Sequence, residues 1–260
     1  MGLWLPVGVL VAGYTLNMAY ITVFYHRGVA HGALRVRPRV LRFVAATGNW
    51  VTGIDLAGWV CMHRMHHAYA DGPDDPHSPR HAGLLGVAGA QLRSYERALA
   101  GLTRGDERYT RFVRDIGVEV SALNRRGLWA LPYVVHTAVA VTLGLTAGSA
   151  LLGAAYVLGL LSHPVQGWLV NALGHAVGRR NFDTRDDSRN NVAVALVAFG
   201  EGLQNNHHAY PRSARFSYRW WEPDPGWWLC RALALARVVE VRRSGLIPRP
   251  ARSGAAVVAR

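Results

Sequence analysis

Twelve histidines stand among 260 residues, and their spacing carries more than their number. His26 and His31 fall in the run YHRGVAH. His63, His66 and His67 fall in HRMHH. His207 and His208 close QNNHH, with Gln204 three residues before the first of them. His175 closes NALGH, four residues after Asn171. Residues three and four apart share one face of a helix, so His63, His66 and His67 can converge on one place. Gln204, His207 and His208 can do the same, and so can Asn171 with His175. One such histidine alone is more often a hydrogen-bonded packing residue than a ligand. Packing does not account for several clusters at these spacings.

Imidazole suits iron, zinc and copper. His26, His31, His63, His66, His67, His175, His207 and His208 together exceed the four ligands of a tetrahedral zinc site. They suffice for two octahedral-type metals with coordination positions left open. Open positions on a redox-active metal suggest dioxygen activation, which zinc cannot perform because it has no redox chemistry. The other histidines carry less. His77 and His81 lie in DGPDDPHSPRHAG, where they orient ligands, bind a head group or stand in solvent. His136 and His163 sit in apolar stretches without paired spacing and read as packed residues. Cys61 and Cys230 are lone cysteines and read as small buried hydrophobes.

Such clusters need elements to hold them. Half the residues are apolar and 17% are charged, below the usual ~25%. The formal net charge of +13 fits an anionic membrane surface better than nucleic acid, because long apolar segments accompany it. A membrane span needs about 20 mainly apolar residues. Segments 3–25, 129–145 and 147–170 qualify, the last two separated by a tight hairpin. The first lacks a basic leader and a cleavage site, so it reads as a membrane helix and not a signal peptide.

Segment 40–62 is apolar but carries Asn49 and Asp55, and reads as re-entrant or interfacial. The Arg-rich regions 63–126 and 171–260 are placed in the cytoplasm by the positive-inside rule. Ligands to one centre must share one side of the membrane. His26 and His63 flank segment 40–62, so a shared metal centre requires that segment to turn back. Residues 1–260 read as a single domain with a loose tail at 248–260.

The three runs HRGVAH, HRMHH and QNNHH resemble the histidine boxes of membrane fatty acid desaturases of the stearoyl-CoA desaturase type, in their bacterial form. DDPHSPR resembles the segment after the family's second box. GWLVNALGHAVGRRNF resembles its stretch with an Asn and an extra His, and GEGLQNNHHAYP its third box with flanks. The likeness runs from His26 to Arg242. It implies an all-α integral membrane helical bundle, with a cytoplasmic helical cap carrying a histidine-bound di-metal site. It makes the eight clustered histidines iron ligands and has Asn171 hold a water against one metal. Trp59 would line the substrate tunnel, and Glu201 would orient the ligands beside it.

Three departures stand out. Gln204 occupies a position usually held by His, and so is at most an altered ligand. Only 25 residues precede His26, where the family usually has two spans. Cys61 and Met62 replace a charged pair that lies near CoA in animal enzymes.

The resemblance implies a fatty acyl desaturase in the bacterial inner membrane, with its histidine boxes on the cytoplasmic side. It would use two iron ions and O2 to place a cis double bond in a CoA thioester or phospholipid. The sequence holds no flavin or dinucleotide fingerprint, so a separate ferredoxin or cytochrome with its reductase must donate electrons. Arg80 is a candidate for a substrate phosphate, although most arginines here read as topology signals. A di-iron hydroxylase or ketolase would share the same ligands. A non-enzymatic histidine-rich membrane protein would need polar ligands along the spans, where His136 and His163 are sparse.

Overall fold

The computed structural model describes residues 2–245; the tail expected at 248–260 lies outside them. The chain is mostly helical. Helix α1 (Trp4–Met18) runs without a break into a π-helical segment, Ala19–Ala30. Together they form the one helix among the described residues long and apolar enough to cross a membrane, with mean hydropathy 1.6. Strand β1 (Leu34–Val36) follows, then α2 (Pro38–Thr52), α3 (Leu56–Tyr69) and α4 (Pro79–Arg104). Short helices α5 (Glu107–Thr110) and α6 (Ala122–Arg125) lead to α7 (Leu131–Thr146), α8 (Ala150–Leu160) and α9 (His163–Trp168). After a short π turn, Leu169–Leu173, come α10 (Val192–Val197), α11 (Gln204–Ala209), α12 (Pro225–Leu235) and β2 (Val239–Val241).

Helix α1 packs along α8, and α8 along α7. Gly159 permits the first contact: a Cβ there would lie 2.7 Å from the Leu10 carbonyl oxygen. The outer faces stay apolar, with Trp4, Val11, Val134, Leu145 and Leu158 all exposed. Segment 147–170 is not one helix. Pro164 has no N–H to offer the Leu160 carbonyl, so α8 stops. The Asn17 side-chain amide donates to that carbonyl instead, at 2.7 Å. At 11 residues α8 is about 16 Å long, short of the ~30 Å hydrocarbon core.

Segment 40–62 also divides. Gly53 ends α2 with φ 74°, and Asp55 caps α3 by accepting the Gly58 N–H at 3.1 Å. The second Asp55 oxygen accepts from the Ser121 N–H and the Asn124 amide, at 2.9 and 3.0 Å. Asn49 accepts from Asn124 as well, at 2.8 Å. The polar residues inside this apolar stretch are therefore satisfied by the α6 region. The break lets the chain bend, and the histidines on either side come together.

The largest core lies under the π-helical segment. Tyr25, Val44, Leu56, Val60, Leu99 and Cys230 pack in it. Strands β1 and β2 pair antiparallel, Leu34 opposite Val241, and fasten the end of the HRGVAH turn to the last described residues.

Candidate metal centre

His26 and His31 lie five residues apart. In an α-helix that spacing turns them about 140° from one another. A π-helix bonds each N–H to the fifth residue back, and here the His31 N–H donates to the His26 carbonyl at 3.1 Å. The wider turn brings the two rings to 5.0 Å between centroids. The HxxxxH spacing thus works because the helix opens under it.

Helix α3 supplies His63 and His67, one turn apart, to the same place. His207 reaches it from α11. These five form one cluster whose candidate ligand atoms all lie within 4.8 Å of each other. Their Nε2 atoms approach in pairs: His31 to His63 at 2.8 Å, His67 to His207 at 2.9 Å, and His26 to His207 at 3.0 Å. Burial, followed by the charge of neighbouring imidazoles, holds His63, His67 and His207 well below the usual histidine range. His31 is lowered in the same way, with Arg64 adding to the effect. Neutral rings keep the Nε2 lone pairs that a metal needs.

The expectation that His63, His66 and His67 meet at one place is corrected by the helix itself. His66 lies about 100° from His67 and joins a second cluster with His175 and His208. His207 and His208 divide likewise, being adjacent on α11. In the second cluster each Nδ1 is held by a carboxylate: His66 by Asp75 at 3.0 Å, His175 by Asp71 at 2.9 Å, and His208 by Asp186 at 2.9 Å. The three Nε2 atoms are buried without a hydrogen-bond partner and converge. Orphaned buried nitrogens are costly unless something binds them. Carboxylates on the far nitrogen are the usual setting of a metal-bound imidazole. The donor set of both clusters fits a pair of metal ions. The clusters adjoin, with the His67 and His208 rings 4.4 Å apart.

Glu201 sits beside the first cluster. One oxygen lies 2.5 Å from His26 Nδ1 and the other 2.9 Å from Arg27. Arg27 is fully buried, reaches Asp224 at 2.9 Å and donates to the Ala214 carbonyl at 2.8 Å. It therefore ties the first histidine run to the chain around the third. Gln204 is buried beside Gly174 and gives its amide to the Glu201 carbonyl at 3.1 Å. Asn171 lies half-buried in the π turn before His175.

The asparagines of QNNHH fix α11. Asn206 accepts from Asn190 and Asn181 and donates to Glu222 and the Phe216 carbonyl.

Trp59 stacks on His63 with ring planes 9° apart and donates to His163 at 3.2 Å. His163 lines an apolar cavity of about 110 Å³, with Ile54, Met62, Leu92, Trp129 and Tyr133. Met62 also lines a second cavity of about 220 Å³, together with Arg97 and Arg108. Arg80 is placed elsewhere: its exposed guanidinium pairs with Asp187 at 2.7 Å.

His77 is buried and stacks on His66 at 4.8 Å, pushed down to about 3 by burial and by the His66 charge. His81 is exposed. His136 bonds the Tyr156 hydroxyl at 2.6 Å. Sequence reasoning missed Asp71, Asp75 and Asp186. The first two stand just past HRMHH, in the polar loop DGPDD, which was a usable signal.

The fatty acid desaturase family model matches residues 2–243. The chain is 31% identical over 253 residues to hex-5-enoyl-acyl-carrier protein acetylenase of Moorena producens, covering 87% of this chain and 74% of that protein. It is 31% identical over 246 residues to sn-1 stearoyl-lipid 9-desaturase of Synechocystis sp., covering 89% and 70%. It is 30% identical over 230 residues to icosanoyl-CoA 5-desaturase of Limnanthes douglasii, covering 86% of this chain but 61% of that protein. Since the family model spans nearly all of the chain, including every histidine run that meets at its centre, the chain belongs to the fatty acid desaturase family.

Proposed function

We propose that this chain is a membrane-bound, O2-dependent desaturase of fatty acyl chains that holds two iron ions in its paired histidine clusters. The observation that carries the reading is an apolar cavity one side chain away from the first cluster. His163, the partner of Trp59, lines it, and Trp59 stacks on His63 of that cluster. An alkyl chain in that cavity would have its methylenes beside Trp59, next to the first cluster, and its polar end toward Arg97 and Arg108 across Met62.

Bound iron would supply the oxidising power: one CH2–CH2, O2, two electrons and two protons give one CH=CH and two waters. The five-histidine cluster and the His66, His175, His208 cluster would each hold one ion. Asn171 would bear on the second through a water, and Gln204 would leave that site a histidine short. The protein's part is placement. Trp59 and Met62 position one carbon pair, and Asp71, Asp75 and Asp186 keep the imidazole Nε2 atoms inward. Helix Trp4–Ala30 and the exposed apolar faces of α1, α7 and α8 suit lipid. The arginine-rich regions support a site on the cytoplasmic side of a bacterial inner membrane. The substrate is a thioester or a phospholipid, and reducing equivalents come from a separate protein.

The test is expression in a host of known lipid profile, followed by fatty acid and iron analysis. A new cis-unsaturated chain, with about two irons per chain in the purified protein, is the expected result. A hydroxylated product would move the reading to a hydroxylase. Unchanged lipids in iron-replete cells with a working donor would overturn it.

A further inference from the structure

The histidine clusters are approached from two directions. One is the apolar cavity beside Trp59, lined by Met62, which suits an alkyl chain. The other is a separate opening of about 730 Å³ that shares no lining residue with the first. Its floor includes His31 and His67 of the five-histidine cluster. Its walls carry Arg35, Arg64, Arg212, Arg242 and Arg243, against the single carboxylate of Asp115. Arg64 is committed to the fold, donating to the Ala30, Val29 and Phe112 carbonyls and to Asp115. Arg212, Arg242 and Arg243 are exposed, and among the described residues none pairs with a carboxylate. Arg35 has only a loose exposed contact with Glu240 at 3.8 Å.

We infer that this basic opening is the docking surface for an acidic one-electron carrier protein. The inference rests on the desaturase reading, which requires two electrons per double bond from a donor outside the chain. An alkyl chain has no use for a polar, arginine-walled opening. An electron does, because transfer slows steeply with distance and His31 and His67 bring the cluster to the floor of the opening. The His67 ring in turn adjoins His208 of the second cluster. Each docking event would oxidise the carrier by one electron and pass that electron to the metal held by the clusters, so each double bond would take two events. A ring of unpaired guanidiniums speeds encounter with an acidic surface and releases it as readily, which suits a carrier that must dock twice. Weak electron-transfer contacts are small, below about 1,200 Å² in total, and a single rim of arginines is enough to guide one.

The test uses the full chain in detergent and in nanodiscs, with oxidised acidic [2Fe–2S] ferredoxin as the probe, so that binding is read without turnover. Arg212→Glu combined with Arg243→Glu should weaken binding at least tenfold and flatten its salt dependence, while KM for the acyl substrate is unchanged. Arg97→Glu combined with Arg108→Glu should do the reverse. Failure of the unaltered chain to bind the ferredoxin at low salt would overturn the inference, as would binding that the first pair of changes leaves intact. So would competition by an acidic acyl carrier protein at this opening, or an effect seen only when the nanodisc lipid is anionic. Ferredoxin binding with no desaturation by the iron-loaded chain would sink the desaturase reading instead.

Discussion

Replacing Arg27 by Met tests how the site is assembled. The guanidinium is fully buried and contacts Glu201 and Asp224, each at 2.9 Å, and the Phe216 ring at 3.8 Å. Met matches much of its volume but strips the positive charge from between two buried carboxylates. Removing one partner of a buried pair costs about 3–5 kcal/mol. At about 1.4 kcal/mol per decade this is two to nearly four decades in the folded fraction, a large part of a total of about 5–15 kcal/mol. Denaturant titration in mild detergent, followed by the fluorescence of the nine tryptophans, reads the loss directly. Arg27→Lys keeps the charge but cannot fork between both carboxylates and the Ala214 carbonyl, so it should fall in between.

A double-mutant cycle sharpens the argument. Glu201→Gln should destabilise the unaltered chain, because it breaks the contact with Arg27. In the Arg27→Met background the same change should stabilise, because it removes an uncompensated charge. If Glu201→Gln has the same sign in both backgrounds, or Arg27→Met leaves the midpoint where it was, the clamp is not what holds the first and third histidine runs together.

Other outcomes are expected. Asp75→Asn or Asp186→Asn should weaken metal binding in the second cluster about 10–100-fold; iron content should fall from two toward one per chain, and retention of both would count against the carboxylate role. Met62→Trp should fill much of the 110 Å³ cavity and abolish turnover of long chains at unchanged iron content, as product analysis would show. Stripping the metal should lower unfolding stability by about 4 kcal/mol at free metal a thousandfold above Kd; identical denaturation with and without chelator would argue that no ion is held. Gln204→His should tighten metal at the second cluster, and unchanged affinity would place that side chain outside it.

The ligand candidates were legible because metal binding demands particular side chains. Imidazoles repeated at fixed spacings seldom serve packing alone. Their division into five and three was not legible. It depends on the 100° step between His66 and His67, and on a π-helix of which the sequence gives no sign. The long apolar helix was readable from its uncharged run, whereas the break at Leu161 had only Pro164 to mark it within an equally apolar stretch. Arg80 could not be resolved from sequence, because an exposed guanidinium reads alike whether it awaits a phosphate or pairs with Asp187. The carboxylates behind the histidines were harder still. Asp71 serves His175, 104 residues away, and only the folded chain makes them neighbours.

His26 and His207 face each other although 181 positions separate them along the chain. A nascent chain that has just produced its first two histidine runs therefore owns only part of either cage. Closing such a long loop is entropically costly, and nothing offsets that cost until α11 has emerged. Any ion that these clusters take is consequently loaded late, after synthesis has passed His208, onto a chain whose long helix is already made.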